Sequence, residues 1–230
     1  MTTLRRRVAA DTRYTLAGFP VALAAFCVAL IGLSGGLGAA VAFVGLPLLA
    51  GSAVLVRRFA DAERAALPDV LGHPVGHPSY PDAPEGAGWL RRLMNPLATS
   101  QGWIDLLHAV VAFPVALVSF VFSAVWWAGT VAGLTFPVYG WVIAAIPGVD
   151  GGLPALLGFG HGPVAFVVFN TLAGVLFALT LVPVLRGAAL LRASLAEAML
   201  TRPAPRAAAA RRRSVTALDD APLPPYSVRR

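Results

Sequence analysis

Between Arg13 and Arg57, and again between Arg92 and Arg186, the chain carries no basic residue. From Leu16 to Val56 every side chain is apolar or small and uncharged. The second gap holds only Asp105 at its edge and Asp150 in its middle. An uncharged run of that length is about twice the roughly 20 residues that cross a hydrocarbon core once. It cannot form the surface of a water-soluble fold. The composition agrees: 57% of residues are hydrophobic and 13% charged, with a mean hydropathy of +0.73, against about 25% charged in an ordinary soluble domain. An ordinary soluble enzyme and a disordered chain are both excluded. The one cysteine, Cys27, lies inside an apolar run, so neither an intrachain disulfide nor a cysteine metal site can form.

The expected fold class is an all-α membrane protein with four transmembrane helices, arranged as two tandem helical hairpins. Ser34-Gly35-Gly36-Leu37-Gly38 reads as a tight turn that divides the first run into spans of about 14–33 and 38–57. Pro147-Gly148-Val149-Asp150-Gly151-Gly152 marks a loop in the second run, between spans of about 103–128 and 163–186. No small-residue cleavage site follows the first apolar run, so it is expected to be retained as a span. With four spans, all 18 cationic residues, every one an arginine, fall on one side. The positive-inside rule makes that side the cytoplasm, with both termini in it. The net charge of +7 is then explained by topology and by attraction to membrane lipids, with no nucleic acid involved. The expected organisation is a basic N-terminus over 1–13, a membrane domain over 14–201 and a disordered Arg- and Pro-rich tail over 202–230.

The hairpins are related in sequence. Residues 17–26 and 111–120 share six of ten positions, including Phe-Pro-Val-Ala-Leu. Pro47, Leu49, Gly51 and Ala53 align with Pro183, Leu185, Gly187 and Ala189, and Asp61 falls opposite Glu197. Two spans per unit imply a parallel repeat, whereas inverted repeats are the commoner mark of secondary transporters. Pro20 and Pro114 occupy matching depths and are candidate hinges. Gly32-x-x-x-Gly36 and Gly129-x-x-x-Gly133 have the spacing that lets helices approach closely. Such spacings arise by accident among 23 glycines, and both pairs border loops.

Each hairpin is expected to run on into a cytoplasmic amphipathic helix. Asp61, Glu63 and Arg64 would take the wet side of the first, with Pro68 as its end, and Arg186 to Leu200 forms the second. Residues 72–84 form a proline-rich connector in which His73 and His77 are each followed by proline, which removes the helix a metal pair would need. Ser100 is a plausible cap for the third span. Asp105 and His108 share one face and read as an interfacial anchor pair. On the outer side Trp126, Trp127, Tyr139 and Trp141 crowd one stretch, with Asp150 and His161 as its titratable groups. These six residues form a candidate sensing surface, although an aromatic belt accounts for the same pattern. No phosphate loop, hydrolase elbow or zinc-protease motif occurs, so no enzyme, cofactor or resident metal is expected.

Several stretches resemble the membrane sensor domain at the N-terminus of bacterial two-component histidine kinases. They are the duplicated hairpin, the connector ending in Tyr80-Pro81, the Trp89-Leu-Arg-Arg…Trp103-Ile-Asp-Leu106 lead-in and the aromatic run Leu134–Trp141. The resemblance covers about residues 10–201 and implies signal transduction at a bacterial inner membrane. It implies no kinase activity, because no phosphoacceptor histidine context or ATP-binding domain is present. A cytoplasmic kinase or regulator, and a second copy of the chain, are the partners it suggests. A small transporter or permease subunit and a structural membrane partner are the alternatives.

Overall fold

The computed structural model describes residues 2–39, 45–78, 80, 84, 86–146 and 151–201. All elements among them are helical. Helix α1 (Thr2–Thr12) continues through a π-helical turn at Arg13–Ala17 into α2 (Gly18–Gly38). Then come α3 (Gly45–Leu71), the short α4 (Trp89–Met94) with a 3-10 turn at Asn95–Ala98, α5 (Ser100–Ala144), α6 (Gly152–Leu156) and α7 (Pro163–Leu200). Among the described residues, three helical stretches, Thr3–Gly38, Ser100–Ala144 and Pro163–Leu200, are long and apolar enough to cross a membrane. Helix α3 is apolar only in its first half. That half falls well short of the roughly 20 residues a crossing requires, and residues 40–44 ahead of it lie outside the described set.

The helices are longer than the spans read from sequence. Helix α5 has 45 residues, so at about 1.5 Å per residue it reaches roughly 68 Å, more than twice a hydrocarbon core of about 30 Å. It absorbs residues 129–144, which had been read as the start of an outer loop. Pro137 removes only one backbone bond, and the helix passes through it. Helix α3 likewise continues past Pro68 to Leu71. It stops where Gly72, at φ +81°, bonds back to the Pro68 carbonyl at 2.9 Å. Helices α2 and α5 also run unbroken through Pro20 and Pro114, and a π-helical turn precedes Pro20. Thr99, not Ser100, caps α5, accepting from the Gly102 amide at 3.2 Å.

Small residues set the packing. A Cβ on Gly32 or Gly36 would collide with Ser52 or Leu49 of α3. The Gly35-Gly36-Gly38 cluster is therefore helix up to Gly38, and Gly36 is a contact residue rather than a turn residue. Gly133 and Gly174 meet backbone to backbone between α5 and α7. The two glycine spacings that the sequence leaves open to chance are thus real interfaces. Within each hairpin the helices are antiparallel.

The hairpins meet in a way the repeat alone does not announce. Phe19 stacks on Phe120 at 4.4 Å and Phe26 on Phe113 at 4.3 Å. Thr12 accepts a hydrogen bond from Trp127 at 3.1 Å. As the α1–α2 residue number rises, its α5 partner's number falls. The first helices of the two units therefore run antiparallel, and the hairpin ends point in opposite directions. This corrects the parallel-repeat reading, for which Phe26 would lie level with Phe120 and Thr12 far from Trp127; Phe19 also touches Phe113, at 6.3 Å, at the centre of the crossing. Replacing Gly174 by Val is expected to force α5 and α7 apart at a cost of about 1–3 kcal/mol, seen as a lower melting temperature of the detergent-solubilised protein, whereas Val at the open Gly187 position should cause a much smaller drop.

Candidate functional site

Where the hairpins cross, the structure buries a charged cluster. Arg64 of α3 is 0% exposed, and each of its donor groups has an acceptor. Its Nε donates to the Leu200 carbonyl at 2.9 Å, Nη1 to Asp61 at 2.6 Å and Nη2 to Asp105 at 2.7 Å. Asp105 also accepts from Gln101 Nε2 at 3.0 Å and from the Tyr80 hydroxyl at 2.7 Å. One arginine thus ties together the end of α7, the start of α5 and the connector. Burial, and the hydrogen bond Tyr80 gives to Asp105, raise the Tyr80 hydroxyl above its ordinary pKa.

The neighbouring Glu63 is the shared acceptor. Its Oε1 receives the Tyr14 hydroxyl and Arg192 Nε, each at 3.0 Å, and its Oε2 faces His108 Nε2 at 3.4 Å. Arg192 spends its other donors on the Tyr14 and Gly18 carbonyls, at 2.9 and 3.2 Å, and lies over the Tyr14 ring at 4.6 Å. Gly18 leaves room for this guanidinium, since a Cβ would come within 2.6 Å of it and displace it from the Gly18 carbonyl. Nearly two turns away on α7, Arg186 bridges Asp11 at 3.0 Å and the Val70 carbonyl at 2.8 Å. Arg64, Arg186 and Arg192 are thus each matched to a carboxylate: Asp105, Asp11 and Glu63. Burial alone would raise the Glu63 carboxyl, but the His108 hydrogen bond, the Arg192 guanidinium, the His108 charge and the Tyr14 hydroxyl outweigh it. They hold it at about 2, below its ordinary 4.5.

The repeat extends into this cluster. The shift that carries Phe19 onto Phe113 also carries Asp11 onto Asp105 and Tyr14 onto His108. Glu63 therefore meets Tyr14 and His108, the equivalent positions of the two units, in addition to Arg192. A cavity of about 10 Å³ lies beside it, lined by Ala22, Ala25, Val56, Ala60, Asp105 and His108 among others. His108 Nδ1 is buried and unpaired there. The space suits at most a single water and admits no organic substrate.

A family model described as "Putative sensor" matches residues 14–200. The chain belongs to this sensor family. The match covers both hairpins and every residue of the cluster except Asp11. No curated protein and no solved structure matches the chain.

Within this sensor-family chain, the residues first singled out as a sensing surface do not gather in one place. Trp126 donates to Thr180 at 2.9 Å and packs edge-on against Phe177. Trp127 points to Thr12, next to the charged cluster. Tyr139 donates to the Ala132 carbonyl of its own helix at 3.0 Å, Trp141 is half exposed, and His161 is exposed on the loop before α7. Asp150 lies outside the described residues. The sequence places Glu63 and Arg64 on a wet helix face; the structure buries Arg64 entirely and all but 9% of the Glu63 side chain. The usable signal in the sequence is the shared face of Asp105 and His108, which meets Arg64 and Glu63.

Replacing Glu63 by Gln leaves the Arg192 charge buried without a counter-ion, at an expected cost of about 3 kcal/mol. Because the Glu63 pKa is lower in the folded state than in the unfolded one, its contribution is complete above about pH 4.5 and fades as pH falls towards about 2. Melting curves across that window should show an acid limb in the parent protein that is flattened in Glu63→Gln.

Proposed function

We propose that this sensor-family chain is an integral membrane module that passes a stimulus from the outer face or the bilayer to a cytoplasmic partner, with no catalysis of its own. The observation that carries this reading is the continuity of α7. A single helix runs from the loop holding His161, past Trp126 and the glycine contact, to Arg186, Arg192 and Leu200 in the cluster. A shift or rotation at its outer end is delivered along one helix, through Pro183, to the hydrogen-bonded sites of Arg186, Arg192 and Leu200. Switching such a helix requires only a few kcal/mol between two packings. A kinase or regulator of a bacterial two-component system is the partner that the resemblance to kinase sensor domains supports, and a homodimer is compatible with it. The one-sided arginines support four crossings, at the plasma membrane, with both termini cytoplasmic, whereas the antiparallel docking of the two first helices stands against that layout.

A second reading, a small transporter, gains support from two observations. The hairpins dock in opposite directions, and ionisable groups are buried where they meet. Against it, Asp11, Glu63 and Asp105 are each paired with an arginine, and the adjoining cavity holds at most one water. A labelling experiment separates the two layouts. In a Cys27→Ala background, single cysteines replace Leu4, Leu37 or His161, and intact cells are treated with a membrane-impermeant maleimide. The four-crossing layout predicts that positions 37 and 161 are labelled and position 4 is protected, a result that would contradict the opposed hairpins of the structure. Labelling of 4 and 161 with 37 protected would establish opposed hairpins across the bilayer and favour transport, to be checked by substrate flux into proteoliposomes.

A further inference from the structure

A groove runs between α1–α2 and α3. Its wet end, about 560 Å³, is lined by Arg6, Arg7 and Arg13 with Thr3, Pro68 and Asp69. The groove continues past Ala10, Arg13 and Asp69 into a second compartment of about 290 Å³. This inner part is walled by Ala17, Gly18, Val21, Ala62, Ala66 and Val70, and it ends on Tyr14, Glu63 and Arg192.

The two compartments differ in chemistry. At the mouth three guanidiniums face one carboxylate. The single ion pair there, Arg13 with Asp69, is 3.4 Å long, with side chains 74% and 57% exposed. Such an exposed pair is weak and exchanges readily for another anion. The inner walls are small and apolar, and Val21 lies open at the side of the groove. Glu63 at the far end is already neutralised by Arg192 and hydrogen-bonded to Tyr14, so it does not repel an incoming anion. A free phosphate would leave the apolar compartment empty. An uncharged fatty chain would leave the arginines without a partner. An anionic head joined to a hydrocarbon chain satisfies both.

We propose that this groove binds one anionic phospholipid, its phosphate held by Arg6, Arg7 and Arg13 and an acyl chain laid along Ala17, Val21, Ala62 and Ala66. Planar guanidiniums suit a phosphodiester because they donate in pairs. The inner end of the chain would press on Tyr14 and Arg192, which share Glu63, so occupancy bears on the junction between the hairpins. The binding site stands without the sensor reading; only its role as an input rests on that reading.

The test uses the full chain purified in a neutral detergent and native mass spectrometry, titrating phosphatidylglycerol, phosphatidylcholine or glycerol 3-phosphate. One phosphatidylglycerol per chain should be retained, with phosphatidylcholine at least about tenfold weaker and glycerol 3-phosphate failing to compete. The R6Q/R7Q/R13Q variant, altered only at the groove mouth, should lose that preference. Ala66→Trp, which fills the inner compartment, should lose it as well. R211Q/R212Q/R213Q in the tail should keep it. Equal retention of both lipids, full competition by glycerol 3-phosphate, or equal loss in the tail variant would overturn the proposal. None of these outcomes depends on whether the protein signals.

Discussion

The docking of the two hairpins depends on Glu63. It lies on α3 of the first unit, yet it accepts from Tyr14 of its own unit, from Arg192 of the second unit's last helix and faces His108 of the second unit's first helix. A carboxylate in that position carries a large desolvation cost, offset only when every donor stays in place. The helices that supply those donors are thereby held in one register. Arg64, one residue further along, applies the same constraint to the end of α7, the start of α5 and the Tyr80 connector.

The duplicated sequence explains how one carboxylate can serve both units. Asp11 and Asp105 are equivalent, and each is buried against an arginine, Arg186 and Arg64 respectively. Tyr14 and His108 are equivalent, and both reach Glu63. The Phe19–Phe120 and Phe26–Phe113 stacks are the same contact made twice, with the partners exchanged. An exchange of that kind is the signature of a two-fold relation between antiparallel helices. The rest of the cluster is asymmetric: a phenol faces Glu63 from one unit and an imidazole from the other, and in the register that aligns Pro47 with Pro183, Glu63, Arg64 and Arg192 fall opposite Met199, Leu200 and Val56.

The class of fold was legible because hydrocarbon length and charge exclusion are one-dimensional properties. The helical hairpins, their repeat and the course of α7 from Pro163 into Arg186–Leu200 all follow from where charges are absent. Helix ends were less legible. Pro68 and Pro137 look like stops but lie within helices, because one lost backbone bond is outweighed by packing on both sides. Gly36 reads as a turn and serves as a contact, since a residue without a side chain fits either role. The charged cluster was the least legible part. Glu63 and Arg64 have the spacing of a solvated face, and only knowledge of which helix covers them reveals that they are buried. The opposed docking was invisible for a related reason, because a repeat in sequence specifies equivalent contacts but not the direction in which two copies meet.

That direction is the central claim, and a cross-linking measurement tests it. In a Cys27→Ala background, cysteine pairs at positions 26 and 113, or 26 and 120, are treated in native membranes with a short bis-maleimide. Antiparallel docking predicts efficient cross-linking of the 26–113 pair and little of the 26–120 pair. The reverse pattern would mean that the units lie side by side in the same direction, and the shared role of Glu63 would then be contradicted.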